Sequence, residues 1–339
     1  MTAARINPDK SASSSNAGVS ADGDLTVRDP DSAVDELGLS IDESGLVESG
    51  YRPPKLIRRS RDVWAYRDLL RTLVRREVTV RHKNNVLGMA WNLLNPLLYL
   101  AIFSLVFTVF LPSGVPRYPL KLLSGIVIYQ LFSLGLNSCT NSITANAPLI
   151  QKIWFPREIV PIASLGANLV TFGSEFAILC IGLAAFQQPP EWGMLWLIIP
   201  AIIITLMLAT GFGLMLAAMN VYFRDIEHFV SLGLLAVFWF TPIVYAYDHV
   251  GQALIGRYGE GFERLAMVNP LIPVVTTFQR VMYNPSNFSA EEQVHFELLM
   301  RPTSWYVENL AISGGIALVF LYIGLRVFAR LESGFAERL

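Results

Sequence analysis

Six long stretches of the chain are almost free of charged side chains, and this feature limits the possible folds more than any other. Each stretch has about 20 residues or more, enough for an α-helix to cross a hydrocarbon layer of roughly 30 Å. The third stretch contains a carboxylate, Glu175, deep in its sequence. The stretches are residues 84–116, 122–151, 159–190, 192–223, 228–247 and 305–325.

The composition agrees with a membrane protein. Of the 339 residues, 53% are hydrophobic and 16% are charged, whereas soluble domains have about 25% charged residues. This balance excludes an ordinary soluble enzyme. We therefore predict an all-α polytopic membrane protein with six transmembrane helices. The predicted helices cover residues 87–111, 122–145, 159–186, 194–221, 228–247 and 305–326.

Charge and apolar length divide the chain into regions. The first fifty residues carry ten acidic and three basic side chains, so we predict that residues 1–60 form a disordered acidic tail. We predict an amphipathic cytoplasmic interface helix at 61–83, the transmembrane domain at 84–328 and a cytoplasmic tail at 329–339. The apolar residues 265–279 are too few to span and include two prolines, so we predict a re-entrant segment.

Lys and Arg residues predict the orientation. If both termini lie on one side, that side holds 20 of these residues and the other side holds six. Because cytoplasmic segments carry the excess of positive charge, we expect both termini in the cytoplasm.

Arginines alternate with apolar residues between positions 61 and 83. Trp64, Leu69 and Leu73 interleave with Arg67 and Arg71. This pattern is typical of a helix that lies along the inner membrane interface, with guanidinium groups on lipid phosphates. The alternative is a basic flank that only sets the topology.

Polar side chains form stripes within two predicted spans. In the second span they recur at steps of three and four residues, at Gln130, Ser133, Asn137, Asn141 and Thr144. In the third span they recur in the same way, at Ser164, Asn168, Thr171 and Glu175. Such faces indicate a wet interior, and the intramembrane carboxylate is a functional candidate. The alternative is hydrogen bonding between packed helices.

Aromatic side chains form a further stripe in the first span and a cluster in the fifth. The stripe consists of Tyr99, Phe103, Phe107 and Phe110. The cluster consists of Phe238, Trp239, Phe240, Tyr245 and Tyr247. Flat apolar ring faces can stack on sugar rings, as they do on bases. The alternative is ordinary core packing, contact with lipid or an interfacial belt.

The chain contains no recognisable catalytic or metal-binding motif. Its histidines and cysteines lack ligand spacing, and neither a nucleophile elbow nor a Rossmann fingerprint is present. The Gly-Lys pair of a phosphate-binding P-loop occurs nowhere. We expect no catalytic residue, metal site or cofactor in this chain, and any ATP-driven step must use nucleotide bound by another polypeptide.

Four separated segments resemble the permeases of ABC-2 type exporters of lipid-linked polysaccharides. The turn between the second and third spans reads NAPLIQKIWFPREIVP. The others are NNVLGMAWNLLNPLL from Asn84, GFGLMLAAMNVYFRDIEHF from Gly211 and VNPLIPVVTTFQRVMY from Val268. The resemblance extends over about residues 61–339 and leaves the acidic tail unmatched.

The resemblance implies a function and a set of partners. Two copies of the permease would form a homodimer around a canal in the bacterial inner (plasma) membrane. Two ABC ATPase subunits would bind ATP and Mg on the cytoplasmic side. The cargo would be a polyprenyl-diphosphate-linked polysaccharide such as O-antigen or galactan, and membrane lipids, not nucleic acid, would be the other partners.

The residue patterns and the resemblance together suggest roles for particular residues. Contact with the ATPase is expected at Lys152, Ile153, Trp154, Phe155, Arg157, Glu158, Arg224 and Asp225. Attraction of the lipid diphosphate at the interface is expected at Arg75, Arg76, Arg81 and Lys83. The canal candidates are Trp91, Tyr99, Phe103, Phe107, Phe110, Asn137, Asn141, Asn168, Glu175, Trp239, Phe240 and Tyr245.

Three other classes of function remain open at this point. An ABC-2 permease for a drug or small lipid would share the topology and the partner. A proton-coupled secondary transporter could use Glu175 as its proton carrier. A membrane enzyme acting on lipid-linked sugars would need convergent acid, base or metal-binding groups, and Glu175 has no titratable companion in its span.

Overall fold

The computed structural model describes residues 39–41, 47–49, 66–82, 90–110, 115–152, 155–245, 256, 267–288 and 300–338. The chain divides into two units, Met1–Lys55 and Leu56–Leu339. In the first unit, β1 (Leu39–Ile41) pairs antiparallel with β2 (Val47–Ser49). The sequence did not predict these short strands. The rest of the predicted acidic tail lies outside the described residues.

The second unit is helical throughout its described part. Its helices are α1 (Arg67–His82), α2 (Ala90–Leu105), α3 (Tyr118–Ala145), α4 (Ala147–Ile150), α5 (Ile159–Ala185), α6 (Ile198–Tyr222), α7 (Ile226–Phe240), α8 (Leu271–Met282), α9 (Thr303–Leu331) and α10 (Phe335–Arg338). A π-helical turn, Val106–Phe110, continues α2, and 3₁₀ turns occupy Trp192–Leu197, Pro285–Asn287 and Glu332–Gly334.

Four of the described helices are long and apolar enough to cross a membrane. They are Tyr118–Ala145, Ile159–Ala185, Trp192–Tyr222 with its 3₁₀ start, and Thr303–Gly334 with its 3₁₀ end. They match the predicted second, third, fourth and sixth spans, and they confirm an all-α membrane domain. The total of six spans stays a prediction, because α2 and α7 are shorter apolar helices.

The fifth predicted span, 228–247, ends early. Its helix, α7, stops at Phe240, and Thr241 has an extended backbone with φ −104° and ψ 133°. Thr241 precedes Pro242, and the proline ring disfavours helical backbone in the residue before it. At about 1.5 Å per residue, α7 is roughly 22 Å long and falls short of the hydrocarbon thickness.

The centre of the helical unit is α3. Its side chains are buried along nearly its whole length, from Tyr118 to Ile143. Helices α2, α5, α6, α7 and α8 all pack against it. Helix α3 therefore provides the common surface on which the other helices of this unit are arranged.

The apolar stretch predicted as re-entrant forms the buried helix α8. All of its residues from Leu271 to Met282 are buried, and it packs on α3, α6 and α9. Pro273 stands in its first turn, where a missing N–H leaves no helical hydrogen bond unmade. The prolines therefore start this helix and do not prevent it.

Side chains of α3 and α8 hold the segment 241–245 that follows α7. The Tyr118 hydroxyl donates to the Val244 carbonyl at 2.7 Å, and Lys121 Nζ donates to the Tyr245 carbonyl at 2.9 Å. Lys121, which stands one residue before the predicted second span, is fully buried. Gln279 Nε2 donates to the Ile243 carbonyl at 3.4 Å, so the segment is fixed from two sides.

Helices α6 and α9 approach each other most closely at two glycines. A Cβ atom added to Gly324 would lie 2.0 Å from the Gly211 carbonyl oxygen. A Cβ on Gly211 would lie 2.6 Å from the backbone nitrogen of Leu321. Backbone atoms cannot rotate away as a side chain can, so both positions require glycine.

We predict that Gly324→Ala destabilises the protein. The added methyl group must push α9 away from α6, and overpacking of this kind costs about 1 to 3 kcal/mol. The measurement is the thermal unfolding midpoint of the purified protein in detergent. Gly315→Ala, in the same helix with nothing within 4 Å of the added Cβ, is the control. Equal midpoints for the two variants would contradict the assigned contact.

Candidate functional site

A cleft of about 360 Å³ lies between α2, α3 and α7. Its lining combines the aromatic stripe of the first predicted span, the polar stripe of the second and the aromatic cluster of the fifth. Four canal candidates, Tyr99, Phe103, Asn137 and Trp239, meet there. We call this space the aromatic cleft.

The aromatic rings of the cleft touch one another. Tyr99 and Phe103 stack with centroids 6.1 Å apart, one helical turn apart on α2. Phe238 of α7 lies 6.0 Å from Phe103, and Trp239 meets Phe103 edge-on at 6.3 Å. Trp239 is 52% exposed and Tyr99 is 42% exposed. The rings therefore form an open wall and are not a closed core.

The lining of the cleft also includes polar residues, none of them charged. Gln130, Ser133 and Asn137 of α3 and Ser231 of α7 contribute amides and hydroxyls. None of the residues that line the aromatic cleft is charged. In the described part of the chain, no cluster of His, Cys, Asp and Glu is arranged to hold a metal ion. The cleft thus offers ring faces and neutral hydrogen-bonding groups.

Other predicted canal residues lie elsewhere. Phe107 stacks on Tyr118 at 5.4 Å, while Phe110 and Phe240 are 69% and 74% exposed. The half-buried Tyr245 donates its hydroxyl to the Trp239 carbonyl at 3.1 Å. The side chain of Trp91 is outside those that the structure describes.

The polar stripe of the third span is used in packing. Asn168 Nδ2 donates to the Ser164 carbonyl at 3.0 Å and to the Leu134 carbonyl of α3 at 3.3 Å. Glu175 is 2% exposed and does not line the cleft. For Asn168, the structure therefore shows hydrogen bonding between helices, the alternative that the sequence left open.

An amide chain continues from the cleft toward the end of α3. Asn141 Nδ2 donates to Asn137 Oδ1 at 3.3 Å, and Asn220 Nδ2 of α6 donates to Asn141 Oδ1 at 3.3 Å. Asn141 thus joins the cleft to α6. Asn220 was not predicted, although a lone amide in an apolar span is itself a signal.

Sequence reasoning missed Tyr129 as a cleft residue. Its ring meets Phe238 edge-on at 5.4 Å, and its hydroxyl donates to the Leu234 carbonyl. Tyr129 is four residues before Ser133, so helical spacing places both on one face. The polar stripe could have revealed it.

The predicted coupling turn, residues 146–158, is partly exposed and partly built into the protein. Lys152 is exposed, whereas Ile153 and Trp154 lie outside the described residues. Phe155 is 5% exposed and belongs to a core cluster with Ile143, Leu214 and Phe328. Phe155, one of the residues expected to contact the ATPase, is therefore not on the surface of the turn, because residues of α3, α6 and α9 pack around its ring.

The two charged residues after Phe155 are also turned inward. Arg157 Nη1 donates to the Glu332 carbonyl at 2.6 Å, and Glu158 is 3% exposed. Neither side chain extends freely from the turn. Among the residues expected to contact the ATPase, Lys152 and, after α6, Arg224 and Asp225 are exposed.

Helix α1 carries the arginines expected at the interface. Arg75 and Arg76 are exposed, and Arg76 Nη1 lies 3.4 Å from Asn146 Oδ1. The side chain of Arg81 and all of Lys83 lie outside the described residues. The apolar stripe of α1 is half-buried against α5, with Val74 beside Gly166. Protein therefore covers a face that the sequence predicted to enter the acyl layer.

A second space, an apolar groove of about 400 Å³, lies between α3, α6 and α7. Its walls are almost entirely hydrocarbon, with Phe132, Phe212 and Val237 among them, and Asn269 is at one edge. The lining of this groove differs from that of the aromatic cleft, because it has few groups that can form hydrogen bonds.

A protein-family model described as ABC-2 type transporter matches residues 68–282. This region covers more than half of the chain and includes α1 through α8. The chain belongs to the ABC-2 type transporter family. Its membership implies an ABC ATPase as partner of this membrane subunit.

Three curated relatives of this ABC-2 type transporter carry the same name. Two from Klebsiella pneumoniae, each named O-antigen export system permease protein RfbA, are 29% and 28% identical over 271 residues. These alignments cover 80% of this chain and 94% of each relative. One from Myxococcus xanthus, with the same name, is 30% identical over 230 residues, covering 67% of this chain and 85% of the relative.

We predict that the polar side of the aromatic cleft admits water. In a background where Cys139 and Cys180 are replaced by Ala, Ser133→Cys should react with a membrane-impermeant maleimide in detergent, because a hydrated thiol ionises and a buried one does not. Ser124→Cys, whose parent side chain on the same helix is fully buried, should stay unlabelled. Mass spectrometry of the intact protein measures labelling. A protected Ser133→Cys would show that the cleft is closed and dry.

Proposed function

We propose that this ABC-2 type transporter is the permease subunit of an ATP-driven exporter that moves a polysaccharide linked to polyprenyl diphosphate across the inner membrane. The observation that best supports this proposal is the aromatic cleft. Its uncharged lining of aromatic rings and amides suits a sugar chain. The alignments with O-antigen export permeases, which extend over nearly the full length of the Klebsiella relatives, support the same function.

The cleft chemistry favours a sliding polymer over a tightly held small molecule. Ring faces attract the apolar faces of sugars without requiring one hydroxyl pattern. Neutral amides can exchange hydrogen bonds from one sugar to the next. Because the lining lacks charge, no repeat unit of a neutral polymer would bind tightly enough to stop the movement of the polymer.

A second copy of the chain completes the proposed path. Tyr99 and Trp239 leave much of their ring surface uncovered in the monomer. In a homodimer, two such walls would face each other across a canal. Phe110 and Phe240, which are exposed beyond the cleft, would extend the walls or face lipid.

The arginines of α1 would bind the diphosphate, which is the anionic end of the cargo. Arg75 and Arg76 present exposed guanidinium groups, which bind phosphate oxygens in a forked geometry. Together with Arg81 and Lys83 they would hold the diphosphate at the cytoplasmic interface. The polymer could then enter a path that contains no competing charge.

ATP and Mg would be bound by the partner ATPase, and the exposed residues at the end of α3 and α6 would receive its movement. Of the residues expected to make this contact, Lys152, Arg224 and Asp225 carry exposed charges. We place this end, and both termini, in the cytoplasm, since the positive charges are concentrated there. The buried helix α8 would be the re-entrant element of a six-span topology and part of the outer gate.

The first test replaces rings in the cleft. In cells that lack their own copy of the permease, the wild-type chain should restore surface polysaccharide. Phe103→Ala with Trp239→Ala should reduce export by about five-fold or more, because each lost ring contact removes around 1 kcal/mol. The measurement is the ratio of surface to inner-membrane polymer after incorporation of a radiolabelled sugar.

Phe186→Ala with Trp196→Ala is the matched control for the cleft variant. It removes the same two kinds of ring from exposed positions that do not line the cleft. Export that survives the cleft variant unchanged would contradict the proposed path. Export that continues without nucleotide and stops with an uncoupler would instead favour a secondary transporter.

The second test reverses charges at the proposed ATPase contact. Lys152→Glu with Arg224→Glu should lower the ATP hydrolysis of the purified complex by about ten-fold, because like charges then oppose each other across the contact. Arg326→Glu, an exposed arginine on α9, should leave hydrolysis near the wild-type rate. Normal hydrolysis by the double variant would exclude these two residues from the contact.

A further inference from the structure

The last residues of the chain fold back onto the coupling turn. After α9, the 3₁₀ turn Glu332–Gly334 and α10 return toward the start of α5. Phe335 is fully buried and meets Phe328 edge-on, with centroids 5.5 Å apart. It lies in the same core cluster as Phe155. We call residues 331–338 the C-terminal hook.

Arg157 fastens the turn to the hook in two ways. Its Nη1 donates to the Glu332 carbonyl at 2.6 Å, and its guanidinium carbon lies 5.7 Å from the centre of the Phe335 ring. A charged donor makes a stronger hydrogen bond than a neutral one, and the ring face attracts the cation. A single side chain thus joins the start of α5 to the end of α9.

Tyr222 fastens the same hook to the end of α6. Its hydroxyl donates to the Leu331 carbonyl at 2.9 Å, and Arg338 lies 5.6 Å above its ring. Gly334 is part of this contact, since an added Cβ would lie 2.1 Å from the Tyr222 hydroxyl oxygen. The hook therefore receives one polar contact from the turn and one from α6.

The geometry points to a transmission role for the hook: Arg157 and Tyr222 are positioning residues that bind the coupling turn, the end of α6 and the end of α9 into one moving unit. Phe155 and Phe335 form its apolar interior. When an ATPase displaces the turn, the displacement reaches α9 through the hook. This inference rests on the proposed function and identifies the residues that carry the movement into the membrane.

The arrangement has a physical advantage over a free turn. A segment held only by its two chain ends could bend when pushed, and the push would be lost locally. Packed cores have low compressibility and transmit strain. Because the turn shares a core with α3, α6 and α9, a displacement of the turn must move those helices or break the contacts.

The first part of the test uses the full-length permease without a partner. Backbone hydrogen–deuterium exchange reports local opening. Arg157→Gln and Tyr222→Phe should each increase the exchange rate of residues 331–338 by about five-fold or more, since each removes a hydrogen bond to that segment. Arg326→Gln and Tyr322→Phe are matched controls, because Arg326 rests on the Tyr322 ring of its own helix. Exchange equal to that of the controls would overturn the hook contacts.

The second part uses the complex with its ATPase, trapped with ATP and vanadate. In the wild-type complex, exchange at residues 146–152 and at the end of α9 should both change on trapping. In Arg157→Gln, residues 146–152 should still respond, while the response of α9 should fall about five-fold, within the usual range for coupling residues. Arg157→Lys keeps the charge but loses the forked guanidinium. Its α9 response should lie between those of the wild type and Arg157→Gln.

The two proposals fail in different ways. If residues 146–152 and α9 respond as strongly in Arg157→Gln as in the wild type, transmission through the hook is wrong. The proposed function would then still stand. If the wild-type turn does not respond to trapping, the proposed ATPase contact is wrong, and the transmission role falls with it. The exchange of the hook in the isolated permease remains an independent measurement.

Discussion

The burial of most of α3 by neighbouring helices is the constraint on which the rest of the structure depends. A membrane helix usually keeps one face for lipid, but most side chains of α3 between Tyr118 and Ile143 are buried. Helices α2, α5, α6, α7 and α8 obtain their positions by packing on it. The aromatic cleft exists because α2 and α7 leave the polar stripe of α3 incompletely covered.

Polar groups within the apolar part serve two purposes, and position on the helix decides which. On α3, Gln130, Ser133 and Asn137 line the cleft. On α5, the Asn168 amide donates hydrogen bonds to backbone carbonyls of α3 and of its own helix. Both stripes have the same spacing in the sequence. An unmade hydrogen bond in an apolar interior costs several kcal/mol, so each polar group must find water or a partner.

The need to pair buried polar groups also applies at the end of the bundle where the coupling turn lies. Of the residues expected to contact the ATPase, Phe155 and Glu158 are buried and Arg157 is bound to the Glu332 carbonyl. They support the turn from within, while Lys152, Arg224 and Asp225 remain on its surface. The proposed contact with the ATPase would need both kinds of residue: exposed ones that make the contact and buried ones that keep the turn rigid.

The sequence by itself determined that the chain is a helical membrane protein, which segments form its long helices and which family it belongs to, because long uncharged runs and local motifs need no knowledge of distant contacts. It also indicated the aromatic and polar stripes, since helical spacing is a local property. Only the tertiary structure decided that Tyr99, Asn137 and Trp239 share a cleft while Phe107 packs on Tyr118. It alone placed Lys121 inside the protein and joined Arg157 to Glu332, 175 residues later. Periodicity states which residues share a face, but the neighbouring helices decide whether that face meets lipid, water or protein.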